Sequence, residues 1–177
     1  EAALAELERV GFEDAAGVPY LAHTEEGKYP VLCDQSPCLH RMRSTIQKMK
    51  LYEPAEFIYT FLRDKLSFTP IDRPIAVHIT CSMRKMGLAD TIIALARLCS
   101  TKVIVPEEVG CCGFTHPELN AYALRKLRPQ IEAAGIGIGY SNSRTCEIGL
   151  TTNSGIPYVS IAYLVDQCTQ PLTTTQD

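Results

Sequence analysis

Two adjacent cysteines, Cys111 and Cys112, stand directly before Gly113. Two neighbouring thiols are seldom both buried as inert small hydrophobic groups, whereas they suit a metal site or a redox couple. Cys81 follows an upstream apolar run, and Cys146 follows a downstream one. Soft thiolates brought together in this way are ligands for iron–sulfur clusters or for zinc. The four cysteines therefore predict a shared metal or redox site.

The composition is that of a globular protein and argues against several functions. The chain has 177 residues, 46% of them hydrophobic and 21% charged, enough for one domain or two small halves. A net charge of −3 gives no basic footprint, so nucleic acid is not the default partner. No apolar run reaches membrane-spanning length. Eight cysteines without a recognisable secretory signal favour metal or redox chemistry in a reducing, cytoplasmic compartment over a disulfide framework.

Alternating helix and strand patterns predict the elements that position these cysteines. Short β-branched apolar runs indicate strands, and apolar residues at helical spacing indicate helices. The predicted strands are 31–33, 75–80, 103–105 and 136–140; the predicted helices are 2–10, 39–50, 54–66, 88–99, 116–133 with a break or kink at Pro129, and a last helix through 158–165. Strands separated by helices predict an α/β fold with mostly parallel sheets flanked by helices.

A weak internal repeat predicts two pseudo-repeated halves, residues 1–70 and 71–177. The segments around Cys38 and Cys146, 108 residues apart, each follow a strand pattern and lead into a helix. In this alignment Pro54 matches Pro157, each ahead of a further helix. Each half would thus carry a cysteine at a strand-to-helix turn. The positive end of a helix at such a turn lowers the pKa of a thiol and favours an anionic cluster.

The set formed by Cys81, the Cys111-Cys112-Gly113 motif and Cys146 resembles the CCG cysteine-rich domain. This domain occurs in heterodisulfide reductases and in the iron–sulfur subunit of glycolate oxidase. The resemblance covers nearly the whole chain. Its segments 77–87, 114–120 and 143–150 are most similar to the C-terminal part of bacterial FAD-linked, iron–sulfur D-lactate dehydrogenase-like oxidoreductases.

The resemblance implies the iron–sulfur electron-transfer portion of a flavin-linked 2-hydroxy-acid (D-lactate-like) dehydrogenase. A 4Fe-4S type cluster would be held by Cys81, Cys111, Cys112 and Cys146, and Cys38 would belong to an incomplete first site whose own doublet precedes Glu1. FAD would sit on an upstream domain beside a ferredoxin-like segment, and a quinone or cytochrome would accept the electrons. The segment itself would hold no complete active site. A cytoplasmic location, with peripheral association at the inner membrane, fits this role.

Two departures from the family pattern affect the expected site. Ser143 occupies the first position of a Cys-x-x-Cys pair, which leaves four thiolates, enough for a four-iron cluster or zinc. The Gly-rich insertion expected after Gly113 is missing. We therefore expect the isolated segment to lose its cluster in air, with a disulfide among Cys81, Cys111 and Cys112 as one outcome.

Two other functions remain open at this stage. The cysteines could hold structural zinc, or remain bare thiols, in a docking module without electron transfer. They could also perform direct thiol–disulfide chemistry at the doublet. The Gly-x-Gly-x-Gly run that ends at Gly139 lies along a predicted strand rather than at a strand-to-helix turn, so no flavin or nicotinamide site is assigned to this chain. Cys99 and Cys168 are interpreted as structural thiols.

Overall fold

The structure is a computed structural model that describes residues 24–109, 111–112, 114 and 117–172. The strands are β1 (Val31–Leu32), β2 (Leu51–Tyr52), β3 (Leu66–Phe68), β4 (Ile71–Val77), β5 (Ser100–Ile104), β6 (Gly139–Ser141), β7 (Tyr158–Ser160) and β8 (Thr169–Pro171). The helices are α1 (Ser36–Thr45), α2 (Pro54–Phe57), α3 (Cys81–Lys85), α4 (Ala89–Cys99), α5 (Pro117–Ala123), α6 (Leu127–Ala133), α7 (Arg144–Ser154) and α8 (Ile161–Cys168). A π-helical turn (Ile58–Leu62) and a 3-10 turn (Arg63–Lys65) continue the chain beyond α2. The predicted helix 2–10 lies outside the described residues.

Four parallel strands in the order β5-β4-β6-β7 form the central sheet. The side chains of β4 alternate between its two faces. Ile75 and Val77 pack into a core with α4 and α8, whereas Ala76 packs into a second core with α6 and α7. All three side chains are fully buried, as expected for a parallel strand covered by helices on both sides. The predicted α/β fold with mostly parallel sheets flanked by helices is confirmed.

The same order of elements occurs in two parts of the described chain. The unit β1-α1-β2-α2 contains one parallel strand pair, and the unit β6-α7-β7-α8 contains another. Glu53 is the N-cap of α2, and Ser160 is the N-cap of α8. The predicted match of Pro54 with Pro157 is wrong, because Pro54 begins α2 whereas Pro157 precedes β7.

Several predicted boundaries differ from the structure. Helix α1 ends at Thr45 rather than residue 50, because Ile46 takes an extended conformation. The predicted helix 116–133 is two helices, and Pro129 lies in the first turn of α6, where its missing N–H costs no helical hydrogen bond. The segment 158–160, predicted as helix, is β7, because its backbone pairs with β6.

Two short strands close the fold away from the central sheet. Strand β3 pairs antiparallel with β8, so the residues just before position 70, the predicted boundary between the halves, contact the end of the described chain. Among the helices that the structure describes, none is both long and apolar enough to cross a membrane.

Candidate functional site

The crevice between β4 and β6 is the point at which the strand order of the central sheet reverses. Strand β5 lies on one side of β4, and the chain then adds β6 and β7 on the other side. In open parallel sheets, ligands bind outside the carboxyl ends of the strands at such a crevice. Cys81 follows β4, Cys111 and Cys112 follow β5, and Cys146 follows β6. All four predicted site cysteines therefore leave the sheet at its carboxyl edge.

Two of these cysteines lie in the first turn of a helix. Cys81 is the first residue of α3, whose N-cap Thr80 accepts a 3.2 Å hydrogen bond from the Met83 N–H through its hydroxyl. Cys146 is the third residue of α7, with Ser143 as the N-cap. Backbone N–H groups of a first helical turn have no partner within the helix and carry partial positive charge. Both cysteines therefore lie beside the free N–H groups of a helix start.

Cys112 is at the centre of the cysteine group. Its sulfur interacts with the thiols of Cys146 and Cys111, and it accepts backbone hydrogen bonds from Phe114 and from its own N–H. The Cys146 hydrogen bond is the largest of these effects, and together they lower the pKa of Cys112 to about 6 despite its burial. The thiol of Cys146 keeps the shared proton, so its pKa is raised, with burial and the charge of Cys81 acting in the same direction.

The predicted site residues differ in their exposure. Cys112 and Cys146 are buried, whereas Cys81 and Cys111 are exposed. Cys38 is exposed at the third position of α1, which corresponds to the position of Cys146 in α7. No disulfide joins the cysteines of the described part of the chain, so the expected disulfide among Cys81, Cys111 and Cys112 is absent there.

The Cys112 thiol interacts with the thiols of Cys111 and Cys146, yet these cysteines do not form a metal site in the described residues. Within residues 24–109, 111–112, 114 and 117–172, no group of three or more His, Cys, Asp or Glu side chains has the arrangement needed to hold a metal ion. The donor set is nevertheless of the right chemical type. Thiolate sulfur is the ligand type that iron–sulfur clusters and zinc take.

Polar contacts between the two halves were not anticipated from the sequence. The Ser143 hydroxyl donates to Gln35 Oε1 at 3.4 Å, and Asn142 Nδ2 donates to Glu53 Oε1 at 3.3 Å. The hydroxyls of Ser36 and Thr80 lie 2.8 Å apart. Each of these six residues closely precedes or begins a helix, and that common position is the only sequence signal that could have indicated them.

His78 lies directly after β4 and three residues before Cys81. It is buried, and its Nδ1 lies 3.2 Å from the Ser141 hydroxyl, as expected for a hydrogen-bonded core histidine. Its Nε2 has no hydrogen-bond partner among the described residues. Burial, with a smaller contribution from the charge of Arg84, lowers the pKa of His78 to about 4, so the imidazole is neutral at pH 7.

Comparisons of this chain with family models, curated proteins and solved structures found no match.

Proposed function

We propose that this chain is the iron–sulfur electron-transfer portion of a flavin-linked 2-hydroxy-acid (D-lactate-like) dehydrogenase. The observation that carries the proposal is the interaction of Cys112 with both Cys111 and Cys146 at the reversal of strand order, with Cys81 close enough for its charge to affect Cys146. Three separate segments of the chain supply these cysteines. The resemblance to the CCG cysteine-rich domain supplies the remaining parts of the proposal: an upstream FAD domain, a ferredoxin-like segment and a quinone or cytochrome acceptor.

The cysteines of the site have different proposed roles in holding a cluster. Cys81, Cys111, Cys112 and Cys146 are the proposed ligands, and Cys38 belongs to the incomplete site of the first half. Cys112 and Cys146 are buried and Cys81 and Cys111 are exposed, so a partner would reach the site through the exposed pair. A bound 4Fe-4S type cluster would supply one-electron transfer, with its potential set by burial and by hydrogen bonds to sulfur.

The protein groups around the thiols favour a negatively charged occupant. The Phe114 N–H donates to the sulfur of Cys112, and the first turn of α7 presents its N–H groups beside Cys146. The hydrogen bond from Phe114 favours the thiolate of Cys112 before any metal binds, and a thiolate is the form that ligates metal. This chain contributes the sulfur ligands and their hydrogen bonds, whereas oxidation of the hydroxy acid belongs to the proposed flavin domain. A cytoplasmic location, peripheral to the inner membrane, is part of the same proposal.

A second candidate function is thiol–disulfide exchange, favoured by the contact between Cys112 and Cys146. The Cys112 thiolate would attack one sulfur of a small disulfide and release the other half as a thiolate, which takes up a proton. The Cys146 thiol would then give up its proton and displace the remaining half. The protein would finish with a Cys112–Cys146 disulfide, and the substrate disulfide would be reduced to two thiols. A zinc or bare-thiol docking module is the third alternative.

Anaerobic reconstitution of the full chain with iron and sulfide tests the proposal. We expect iron and acid-labile sulfide in stoichiometric amounts and a broad absorption near the boundary of the visible and ultraviolet ranges. Cys112→Ala and Cys146→Ala should abolish or strongly reduce both. Cys99→Ala is the matched control, because Cys99 is a buried thiol at the end of α4, outside the site, and this variant should bind as much iron as the native chain.

Other outcomes would contradict the proposal. Zinc in place of iron, with no acid-labile sulfide, would support the docking module. Metal-free protein that reduces glutathione disulfide through Cys112 and Cys146 would support the exchange reaction. Equal iron content in Cys112→Ala, Cys146→Ala and Cys99→Ala would show that the doublet is not the binding site.

A further inference from the structure

We infer that Asn120 and Gly149 are positioning residues, which hold the backbone of Cys112 against α7 and so set where its thiol meets Cys146. The inference deepens the proposed function and rests on it only for its consequence, which is cluster binding. The positions of Asn120 and Gly149 are defined by contacts among α5, α7 and the loop after β5. None of these contacts involves a proposed ligand sulfur.

Asn120 connects α5 to both the Cys112 loop and α7. Its Nδ2 donates a hydrogen bond to the backbone carbonyl of Cys112, and its Oδ1 accepts one from Asn153 Nδ2. Asn153 Nδ2 also donates to the carbonyl of Gly149 at 2.9 Å. The two asparagines thus form a short chain of hydrogen bonds from the helix that carries Cys146 to the backbone of Cys112. The direction of every amide in this chain is fixed by the group that it contacts.

Gly149 leaves the space that this contact needs. A Cβ at position 149 would lie 3.0 Å from Asn120 Nδ2, 3.2 Å from the Cys112 carbonyl oxygen and 3.6 Å from the Cys112 Cβ. Any side chain there would push the asparagine or the cysteine loop away from α7. Glycine is otherwise a poor choice inside a helix, because it has the lowest helix propensity after proline. Close approach of the Cys112 loop gives a physical reason for its presence.

The spacing along α7 places these functions on one side of the helix. Residues three or four positions apart share a helix face, so Cys146, Gly149 and Asn153 follow one another along the same stripe. Cys112 itself lies outside helix and strand, where its position depends on contacts with neighbouring elements. The hydrogen bond from Asn120 and the packing on Gly149 provide such contacts on the side that faces Cys146. Loss of either should let the doublet move away from its partner thiol.

The test uses the full chain and two readouts, one of which needs no metal. The first is iron and sulfide content after anaerobic reconstitution. The second is the equilibrium between the Cys112–Cys146 disulfide and glutathione, measured by mass spectrometry of peptides in a Cys111→Ser background. The variants are Asn120→Asp, which keeps the shape but loses the donor to Cys112, Asn120→Ala and Gly149→Ala. Gly137→Ala is the matched control, because a Cβ there meets no atom within 4 Å.

We expect each of the three variants to lower the disulfide equilibrium constant by about tenfold, the size of effect that follows from losing one hydrogen bond to a positioned loop. Iron content should fall with it, whereas Gly137→Ala should match the native chain in both readouts. Gly149→Ala should not lower the thermal unfolding temperature through α7 itself, because alanine favours the helix. A merely structural role would lower that temperature and leave the disulfide equilibrium unchanged.

The two proposals fail in distinguishable ways. If the native chain binds no iron while the variants still lower the equilibrium constant for the Cys112–Cys146 disulfide, the proposed function is wrong and the positioning role stands. If Asn120→Asp and Gly149→Ala match the native chain in the disulfide equilibrium, the positioning role is wrong, whatever the iron content.

Discussion

Ser143 and Gln35 are joined by a 3.4 Å hydrogen bond from the serine hydroxyl to the glutamine Oε1, and each is the N-cap of a helix whose third residue is a cysteine. The two residues are 108 positions apart, as are Cys38 and Cys146. The starts of α1 and α7 therefore contact each other through equivalent positions of the two halves. This contact brings the first half to the edge of the cysteine site.

A double-mutant cycle on this pair should measure its contribution to stability. We expect Gln35→Ala and Ser143→Ala to couple by about 0.5–1.5 kcal/mol in the free energy of unfolding, because the bond is part-buried and its loss leaves a polar group without this partner. Ser143→Ala alone should cost more than the coupling, since the hydroxyl also lies 3.1 Å from the Thr145 hydroxyl. Urea unfolding of the four proteins gives these values.

Ser44→Ala provides a matched control for that cycle. Ser44 is an exposed serine in the last turn of α1, and its hydroxyl donates to the Arg41 carbonyl of the same helix. Its loss should change the free energy of unfolding by less than about 0.5 kcal/mol. A coupling near zero between positions 35 and 143 would mean that the halves do not depend on this contact in solution.

Gly139 should be intolerant of a side chain, because the ring of Tyr158 lies against it from the neighbouring strand. A Cβ at position 139 would come within 2.6 Å of Tyr158 Cδ1, and the ring is buried in the second core. We expect Gly139→Ala to lower the free energy of unfolding by about 1–3 kcal/mol, the usual cost of overpacking. Gly137→Ala, two residues earlier and with open space around it, should change it by less than about 0.5 kcal/mol. Equal unfolding midpoints in urea would contradict the packing of Tyr158 on β6.

The strands that precede the cysteines were predictable because the residue pattern that indicates a buried strand lies within the strand itself. Ile75 and Val77 belong to a β-branched apolar run, and a buried parallel strand requires such a run. The segment 158–160 was predicted as helix because its apolar residues continue into α8, and only pairing with β6 shows that it is a strand. A local residue pattern does not indicate which distant strand a segment pairs with.

The cysteine group was predictable from residue type, but its supports were not. Thiols are rare and chemically distinctive, so Cys111 and Cys112 stand out in any sequence. Asn120 and Gln35 are common surface residues, and their roles follow from which carbonyl or hydroxyl the fold places beside them. Asn120 is an ordinary polar residue in its segment, and no residue type near it indicates what its side chain contacts.

Glu53 should make the folded state less stable as the pH rises. Burial raises the pKa of this carboxyl above its ordinary value of 4.5, although the hydrogen bonds from Asn142 and from the backbone of α2 oppose the shift. Between the two pKa values the folded chain binds a proton that the unfolded chain has released, so stability falls as the pH rises through this window. Glu53→Gln cannot ionise, and its free energy of unfolding relative to the native chain should increase from pH 4.5 upward.

The matched control for Glu53 is Glu132→Gln, which removes an exposed carboxyl from α6. Urea unfolding of all three proteins at several pH values isolates the contribution of each carboxyl. A difference between Glu53→Gln and the native chain that stays constant, or decreases, from pH 4.5 upward would mean that Glu53 is not desolvated in solution.

His78 should have the opposite effect on the pH dependence of stability. Its pKa is lowered from 6.5 to about 4, mainly by burial, so between these values the unfolded chain binds a proton that the folded chain does not. Stability is then fully present above pH 6.5 and decreases as the pH falls towards 4, by on the order of 3 kcal/mol. His78→Asn keeps a side-chain group near the Ser141 hydroxyl but cannot be protonated. The free energy of unfolding of the native chain relative to His78→Asn should therefore decrease as the pH falls from 7 to 4. The control is His40→Asn, at a partly exposed position in α1. The difference in free energy of unfolding between the native chain and His40→Asn should change much less over the same pH range. Urea unfolding at each pH measures both differences, and a constant difference between the native chain and His78→Asn would show that water reaches this imidazole in the folded state.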